Sequence, residues 1–425
     1  MLKTIAAAST ELTQFVDTLR LPLNTPQHRH IMQIADGLIT TQGSKTLSAL
    51  YRHIVGDPCP KSTADTFREA PWQADNIRTP LRQHLIQTAF EVAEEQGIPK
   101  QVFLSLDDSL TAKDNGSKRL QAVDWHVDHT KSWPDHPAYI KGAVYVLLRL
   151  TIGNISFTVD MVPYLRAKTV RQLNRARTKE EQLTFRTKIQ IARAMLEAVK
   201  PLIPDGYTVY LLCDSWYSAA SLIGWCRDQE WHVICRLKSN RSLDDVSVRQ
   251  HHQRHKHRPY TRVRVRAADE KRAKTYLVRS LTGKLSNLSD DVRVFISQRH
   301  NGDSYPRYYC CTDLSLSAND ALNGFLNRWS CEVANWYIAE RLGWADCRLW
   351  RVEATEKFLM VLWLALAYLE YRLVTEAAHT NLADVIRSHR QDHAVRLLQQ
   401  ACTMVLQMGE VSQVLARYTL TPAPT

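Results

Sequence analysis

Glycine and proline are scarce in this chain, 14 and 16 among 425 residues. That excludes collagen-like, low-complexity and largely disordered architectures, which need one or both in abundance. The nine cysteines, at 59, 213, 226, 235, 310, 311, 331, 347 and 402, form no CxxC pair and mostly sit singly within apolar stretches. Free thiols in a reducing compartment are expected, not a disulfide framework. GxGxxG and GxxxxGK[ST] are both missing, so a dinucleotide or ATP site has no support. The first residues carry one Lys and a short apolar patch soon broken by Ser, Thr, Glu and Gln, too weak for a secretory signal. The longest apolar run, Phe358 to Leu369, has twelve residues, short of the about 20 that cross a bilayer. It reads as a buried helix, so no membrane partner is expected and the location is cytoplasmic.

What is present is a globular mixture, 44% hydrophobic and 23% charged, with 55 Lys+Arg against 43 Asp+Glu and a net charge of +12. The positive excess points to a polyanionic partner without naming it. Residues 1–98 read as a helical N-terminal region, with apolar spacings of three and four in Ile31, Ile34, Leu38 and in Leu47, Leu50, Tyr51, Ile54. Gly56-Asp57-Pro58 breaks the pattern and Ser62 is placed to cap the next helix. Helix, turn, helix suits a DNA-reading element, and equally an ordinary bundle.

From Gln101 the period changes. Val102 to Leu106 reads as a strand ending in Asp107-Asp108, and Ala143–Leu150 with Ile152–Val162 as a hairpin at Gly153-Asn154. An amphipathic helix follows, with Phe185, Ile189, Ala192, Leu196 and Val199 on one stripe. Then come a strand at Thr208–Cys213, a helix near Tyr217–Gln229 and a strand at His232–Leu237. The order β-β-β-α-β-α-β implies an α/β fold with a mixed sheet of the ribonuclease H type. Residues 99–237 form its first part. Residues 238–316 read as a basic β-rich insertion, 317–375 as the second part of the core, with a long helix over Ala318–Leu342, and 376–425 as a helical C-terminal region. Between 236 and 279 the sequence holds fourteen Lys+Arg against four acids. The strict alternation of Tyr260–Arg266 marks a strand with a cationic face.

Carboxylates stand at informative places. Asp107 or Asp108 ends the first strand, Asp214 ends the fourth, and Glu332 lies on the long helix. The first and fourth strands can be neighbours, and a crossing helix can add the third acid. Three acidic oxygen donors suit Mg²⁺ or Mn²⁺, and two such ions can activate the attacking oxygen and stabilise the leaving oxygen of a phosphodiester. Alternation along the strand lets only one of Asp107 and Asp108 point into such a site. His251-His-Gln-Arg-His255-Lys-His257 invites a zinc reading, but its imidazoles are interleaved with cations, and a solvated or DNA-contacting loop is expected. The tryptophans at 125, 133, 216, 225, 231, 329, 336, 344 and 350 are expected to be mostly core, with one near a cut site able to receive a flipped base.

The stretch Phe325-Leu-Asn-Arg328-Trp-Ser-Cys-Glu332 resembles the aromatic, Arg and Glu signature around the catalytic Glu of bacterial insertion-sequence transposases of the DDE type. Asp107-Asp108-Ser109 with Lys113 is similar to that family's Asp-Asp-Thr run with a nearby Lys, and Asp214-Ser-Trp-Tyr217 to its Asp followed by Tyr. The likeness covers roughly 100 to 370. It departs where Phe325 replaces Tyr and where Ala339 stands in place of Lys, seven residues after the Glu. The resemblance implies a ribonuclease H-like core, two Mg²⁺ or Mn²⁺ ions and cut-and-paste chemistry on double-stranded terminal repeats and target DNA. The expected dimer forms on DNA in a nucleoid-associated location. Asp107, Asp214 and Glu332 are the implied catalytic metal ligands, with Asp108 the alternative to Asp107. Arg328, Lys113, Lys238, Arg236 and Arg341 are the implied DNA contacts. A structure-selective nuclease of the same fold and a non-catalytic DNA-binding descendant are the rivals.

Overall fold

The computed structural model describes residues 8–54, 60–114, 116–117, 119–128, 131–133, 135–265, 273–300, 303 and 305–418. Gly56-Asp57-Pro58 and Cys59 lie outside them. Five helices come first: α1 Thr10–Thr18, α2 Thr25–Thr40, α3 Leu47–His53, α4 Pro60–Arg68 and α5 Asp75–Glu95. Ser9 caps α1, and Asn24 with Gln27 closes a capping box on α2, so these starts are set locally. The helix expected to begin at Ser62 begins at Pro60, a residue suited to a first helical turn.

The core strands are β1 Gln101–Ala112, β2 Asp124–Val127, β3 Tyr139–Ile152 and β4 Ile155–Tyr164. Helices α6 Ala167–Asn174 and α7 Lys188–Val199, strand β5 Thr208–Cys213, helix α8 Ala220–Asp228 and strand β6 His232–Leu237 complete that stretch. β3 runs antiparallel to β1, whereas β5 is parallel to β1 and β6 to β5. The spatial order β4-β3-β1-β5-β6 is the mixed ribonuclease H-like sheet. α7 starts later than expected, at a Thr187/Gln190 capping box, which leaves Phe185 outside the helix and partly exposed.

After β6 come the two-residue strands β7 Ser242–Leu243 and β8 Val246–Ser247, helix α9 Val248–Arg254, and strands β9 Thr261–Val265, β10 Lys274–Lys284, β11 Asp291–Gln298 and β12 Arg307–Cys311. β12 pairs antiparallel with β6, and β11, β10 and β9 follow outward in one continuous sheet. Local alternation predicts strands here but cannot show that they extend the core sheet, because pairing across about seventy residues leaves no local signal. Part of the His-rich run is helical, because Ser247 and Gln250 box the start of α9.

The expected long helix over 318–342 is wound in pieces: α10 Ala318–Phe325, a 3-10 turn, α11 Trp329–Trp336 and a π-turn at Tyr337–Arg341. The Arg341 carbonyl, at the end of this stretch where no intrahelical donor follows, accepts from the buried ammonium of Lys45 at 2.5 Å. Helices α12 Val352–Thr375, α13 Leu382–Met408 and α14 Val411–Tyr418 close the chain. α12 is twice as long as its apolar run, since flanking residues continue the helix. It is long and apolar enough to cross a membrane, yet 78% of its apolar window is buried inside the protein. Trp363 Nε1 donates to the Thr158 carbonyl on β4 at 2.8 Å. Among the described residues eight cysteines are free, seven of them buried.

Candidate active site

Pleat alternation sorts the side chains of β1. Phe103 packs with Tyr210, Ile234 and Phe325 on the face covered by α10, and Asp107 continues that face. Leu104 and Leu106 belong to the opposite core, and Asp108 continues theirs. Asp107 Oδ2 accepts from Arg328 Nη1 at 2.7 Å, and Arg328 Nη2 reaches Glu332 Oε1, one helical turn on, at 2.8 Å. Asp108 faces α7 instead, where Lys188 Nζ lies 2.5 Å from Oδ2 and the Tyr217 hydroxyl donates to Oδ1 at 2.9 Å. Asp214 follows Cys213, the register partner of Leu106, so it stands beside Asp107 at the end of the neighbouring strand. Its Oδ1 accepts from the amides of Trp216 at 2.8 Å and Tyr217 at 3.4 Å.

The electrostatics show crowded negative charge. Burial pushes Asp107 up to about 7; Arg328 opposes the shift, while Glu332, Asp214 and Asp108 reinforce it. Burial also raises Asp214, with the Trp216 amide opposing and the Asp108 charge adding. Arg328 is raised despite its burial, because Asp107 and Glu332 outweigh the cost of desolvation. Four carboxylates therefore face two cations, Arg328 and Lys188. Asp214 has no ion pair among the described residues.

The chain matches the family model described as DDE superfamily endonuclease over residues 14–284. It belongs to that family. No curated protein matches it. The matched span holds Asp107, Asp108 and Asp214 and ends before Glu332, which joins them through geometry alone. DDE endonucleases act on DNA phosphodiesters and generally use divalent metal ions.

The residues of this DDE endonuclease fit such an ion in donor chemistry and in charge, since hard carboxylate oxygens are present in excess of their side-chain counter-ions. Among the described residues no three His, Cys, Asp or Glu side chains are gathered as a metal cage. The guanidinium of Arg328 stands between Asp107 and Glu332.

The remaining candidates fall into distinct surroundings. Lys238 is exposed, with Nζ 4.7 Å from the Trp216 ring centroid, and Lys188 approaches the same indole at 5.9 Å. Arg236 is exposed on the strand next to Asp214. Arg341 lies in the π-turn, its guanidinium 4.7 Å from the Trp336 ring centroid. Lys113 is a correction. It is buried, and Nζ donates to the carbonyls of Trp344 at 2.5 Å, Ala345 at 2.9 Å and Cys347 at 3.3 Å. Burial lowers its ammonium to about 8. With three carbonyls to hold and no solvent face, it knits β1 to the segment after the π-turn instead of meeting a phosphate. Lys113→Met should lower unfolding free energy by about 1–3 kcal/mol, the cost of leaving buried carbonyls without a donor. The salt dependence of DNA binding should stay at the parent value, as titration against salt would show.

The tryptophans are a second correction. Of the nine, Trp125, Trp133, Trp216, Trp329, Trp336 and Trp350 are exposed. Sequence reasoning also missed Lys188 and the Tyr217 hydroxyl as partners of Asp108. Tyr217 had a signal in its spacing from Asp214, whereas Lys188 had none, because its approach depends on where α7 lies across the sheet.

Proposed function

We propose that this DDE endonuclease is a cut-and-paste DNA transposase in which Asp107, Asp214 and Glu332 hold two Mg²⁺ or Mn²⁺ ions. The observation that carries this reading is the meeting of Asp107 and Glu332 on one guanidinium, with Asp214 beside them on the adjacent strand. The ions would supply Lewis-acid stabilisation and a lowered pKa for the attacking water. With metal held by Asp107 and Glu332, Arg328 would be freed from the two acids, and its fork would suit a DNA phosphate bidentately. Tyr217 and Lys188 keep Asp108 fixed on the far face. Lys238 and Arg236 place cations along the approach to Asp214, where carboxylates alone would repel the backbone.

Hydrolysis frees a 3′-OH at each transposon end, and that hydroxyl attacks target DNA. No covalent enzyme intermediate is needed, so the protein works by positioning and charge stabilisation. Cutting and joining two ends together calls for a dimer on DNA. Residues 1–98 serve as a helical DNA-binding region for the terminal inverted repeats, in a cytoplasmic, nucleoid-associated setting in a bacterial cell.

The test uses duplexes carrying the DNA that flanks the gene. With Mg²⁺ the parent should nick at the repeat ends and insert pre-cleaved ends into plasmid, whereas Asp214→Asn and Glu332→Gln should lose both activities by about a hundredfold or more. Cleavage without insertion would leave a structure-selective nuclease. Equal cutting by the variants would remove the metal-site assignment.

A further inference from the structure

A groove of about 740 Å³ opens on the sheet extension, with Arg236, Arg249, Arg299 and Arg307 in its lining beside Tyr276 and Tyr305. All four arginines are exposed, and none has an ion pair among the described residues. Arg307 does share a hydrogen bond with the Tyr309 hydroxyl. The one carboxylate among the residues that line it, Asp303, accepts from the backbone amides of Arg299 and Tyr305, each at 3.0 Å, and offsets part of the Arg299 charge, which leaves an excess of three positive charges among these side chains. Four guanidinium groups against one carboxylate make the groove a region of positive potential, which favours an anionic occupant.

The geometry points to a subsite in this groove for a short single strand of DNA. Three observations select that occupant. A volume within the roughly 300–1,000 Å³ of small-ligand pockets is too small for a duplex and large enough for a few linked nucleotides. Tyrosines interleaved with arginines offer stacking to unpaired bases and charge to their backbone, the combination that holds single strands without reading sequence. The groove also begins close to the carboxylates: Arg236 follows Cys235, whose register partner Cys213 precedes Asp214. A strand frayed from the duplex at the cut would enter it directly. This placement rests on the nuclease reading for the direction of arrival, but binding can be measured without cleavage.

The experiment is fluorescence anisotropy with the full chain in EDTA, comparing a labelled blunt duplex with the same duplex carrying a short single-stranded tail. The parent should bind the tailed DNA about tenfold or more tighter. The combined Arg249→Ala, Arg299→Ala, Arg307→Ala variant should lose that preference and reduce the tail's salt slope by about 2, at about 0.7 for each phosphate no longer neutralised, while holding blunt duplex within about twofold. Tyr305→Ala, a change at a side chain 86% exposed and so harmless to folding, should erode the preference without moving the salt slope. Equal parent affinity for the two DNAs would overturn the subsite, and so would an arginine variant that loses both in the same proportion. Asp107→Asn should keep the tail preference, so failure of the cleavage mechanism and failure of this subsite give different results.

Discussion

Asp107→Asn should abolish divalent-metal-dependent DNA cleavage, with a loss of about a thousandfold or more, and at the same time stabilise the metal-free protein at neutral and alkaline pH. The second effect follows from the carboxyl's position near 7 against an ordinary value of 3.8. Below about pH 4 the group is protonated in folded and unfolded chains alike and costs nothing. Between about pH 4 and about pH 7 the folded state keeps a proton that the unfolded chain has released, so stability falls as pH rises. Above about 7 the whole cost persists, and asparagine escapes it. Melting in EDTA across that range should therefore show a decline for the parent and a flatter, higher curve for Asp107→Asn. Asp108→Asn should cost cleavage only about ten- to a hundredfold, as expected for a residue that orients ligands from behind. If Asp108→Asn proved the more damaging of the two, the assignment of faces on β1 would be reversed.

Glu370→Ala should lower unfolding free energy by about 3–5 kcal/mol, a large part of the about 5–15 kcal/mol that holds typical domains folded. Glu370 on α12 is 1% exposed and pairs with Arg149 on β3, itself 5% exposed. The carboxylate also accepts from the Thr158 amide at 2.7 Å and the Thr158 hydroxyl at 3.1 Å. Arg149 reaches the hydroxyls of Thr158 at 2.6 Å and Ser156 at 2.9 Å. Removing the acid alone strands a buried guanidinium. Removing both charges, as Arg149→Leu with Glu370→Leu, should recover most of the loss, because the pair's attraction is largely spent on its own desolvation. Denaturant unfolding of the single and double variants measures the difference. A single variant as stable as the parent would show that water reaches Arg149.

The core strands were legible because Val102 to Leu106, Thr208 to Cys213 and His232 to Leu237 are β-branched or apolar runs, the last two with clear stops; the first runs on to Ala112, its polar half held by pairing with β3. The family resemblance was legible in Arg328 and Glu332, whose spacing of four puts them on one side of a helical stretch. The pieces of the 318–342 helix were not, since such breaks depend on tertiary partners, and here the carbonyl of Arg341 at the end of the stretch is held by Lys45 from the loop between α2 and α3. Lys113 read as a surface cation because sequence assigns charge and not depth. The exposed tryptophans misled for the converse reason: hydrophobicity predicts burial on average, and Trp216 stays at the surface between two lysines.

By itself the sequence determined the alternation of strands and helices, the place of Asp214 at a strand end and of Glu332 on a helix, and the concentration of positive charge between them. These are local properties, written in periodicity and in spacing. Asp107 and Asp108, expected to end the first strand, lie within it, because β1 stays paired with β3 as far as Ala112. Only the tertiary structure decided that Asp107 and not Asp108 shares a face with Glu332, that Arg328 binds both acids, and that the basic strands continue the core sheet so that Arg236 lies one strand from Asp214. Each of those depends on strand register and on which helix covers which face, relations between segments far apart in the chain that pairing and packing settle together.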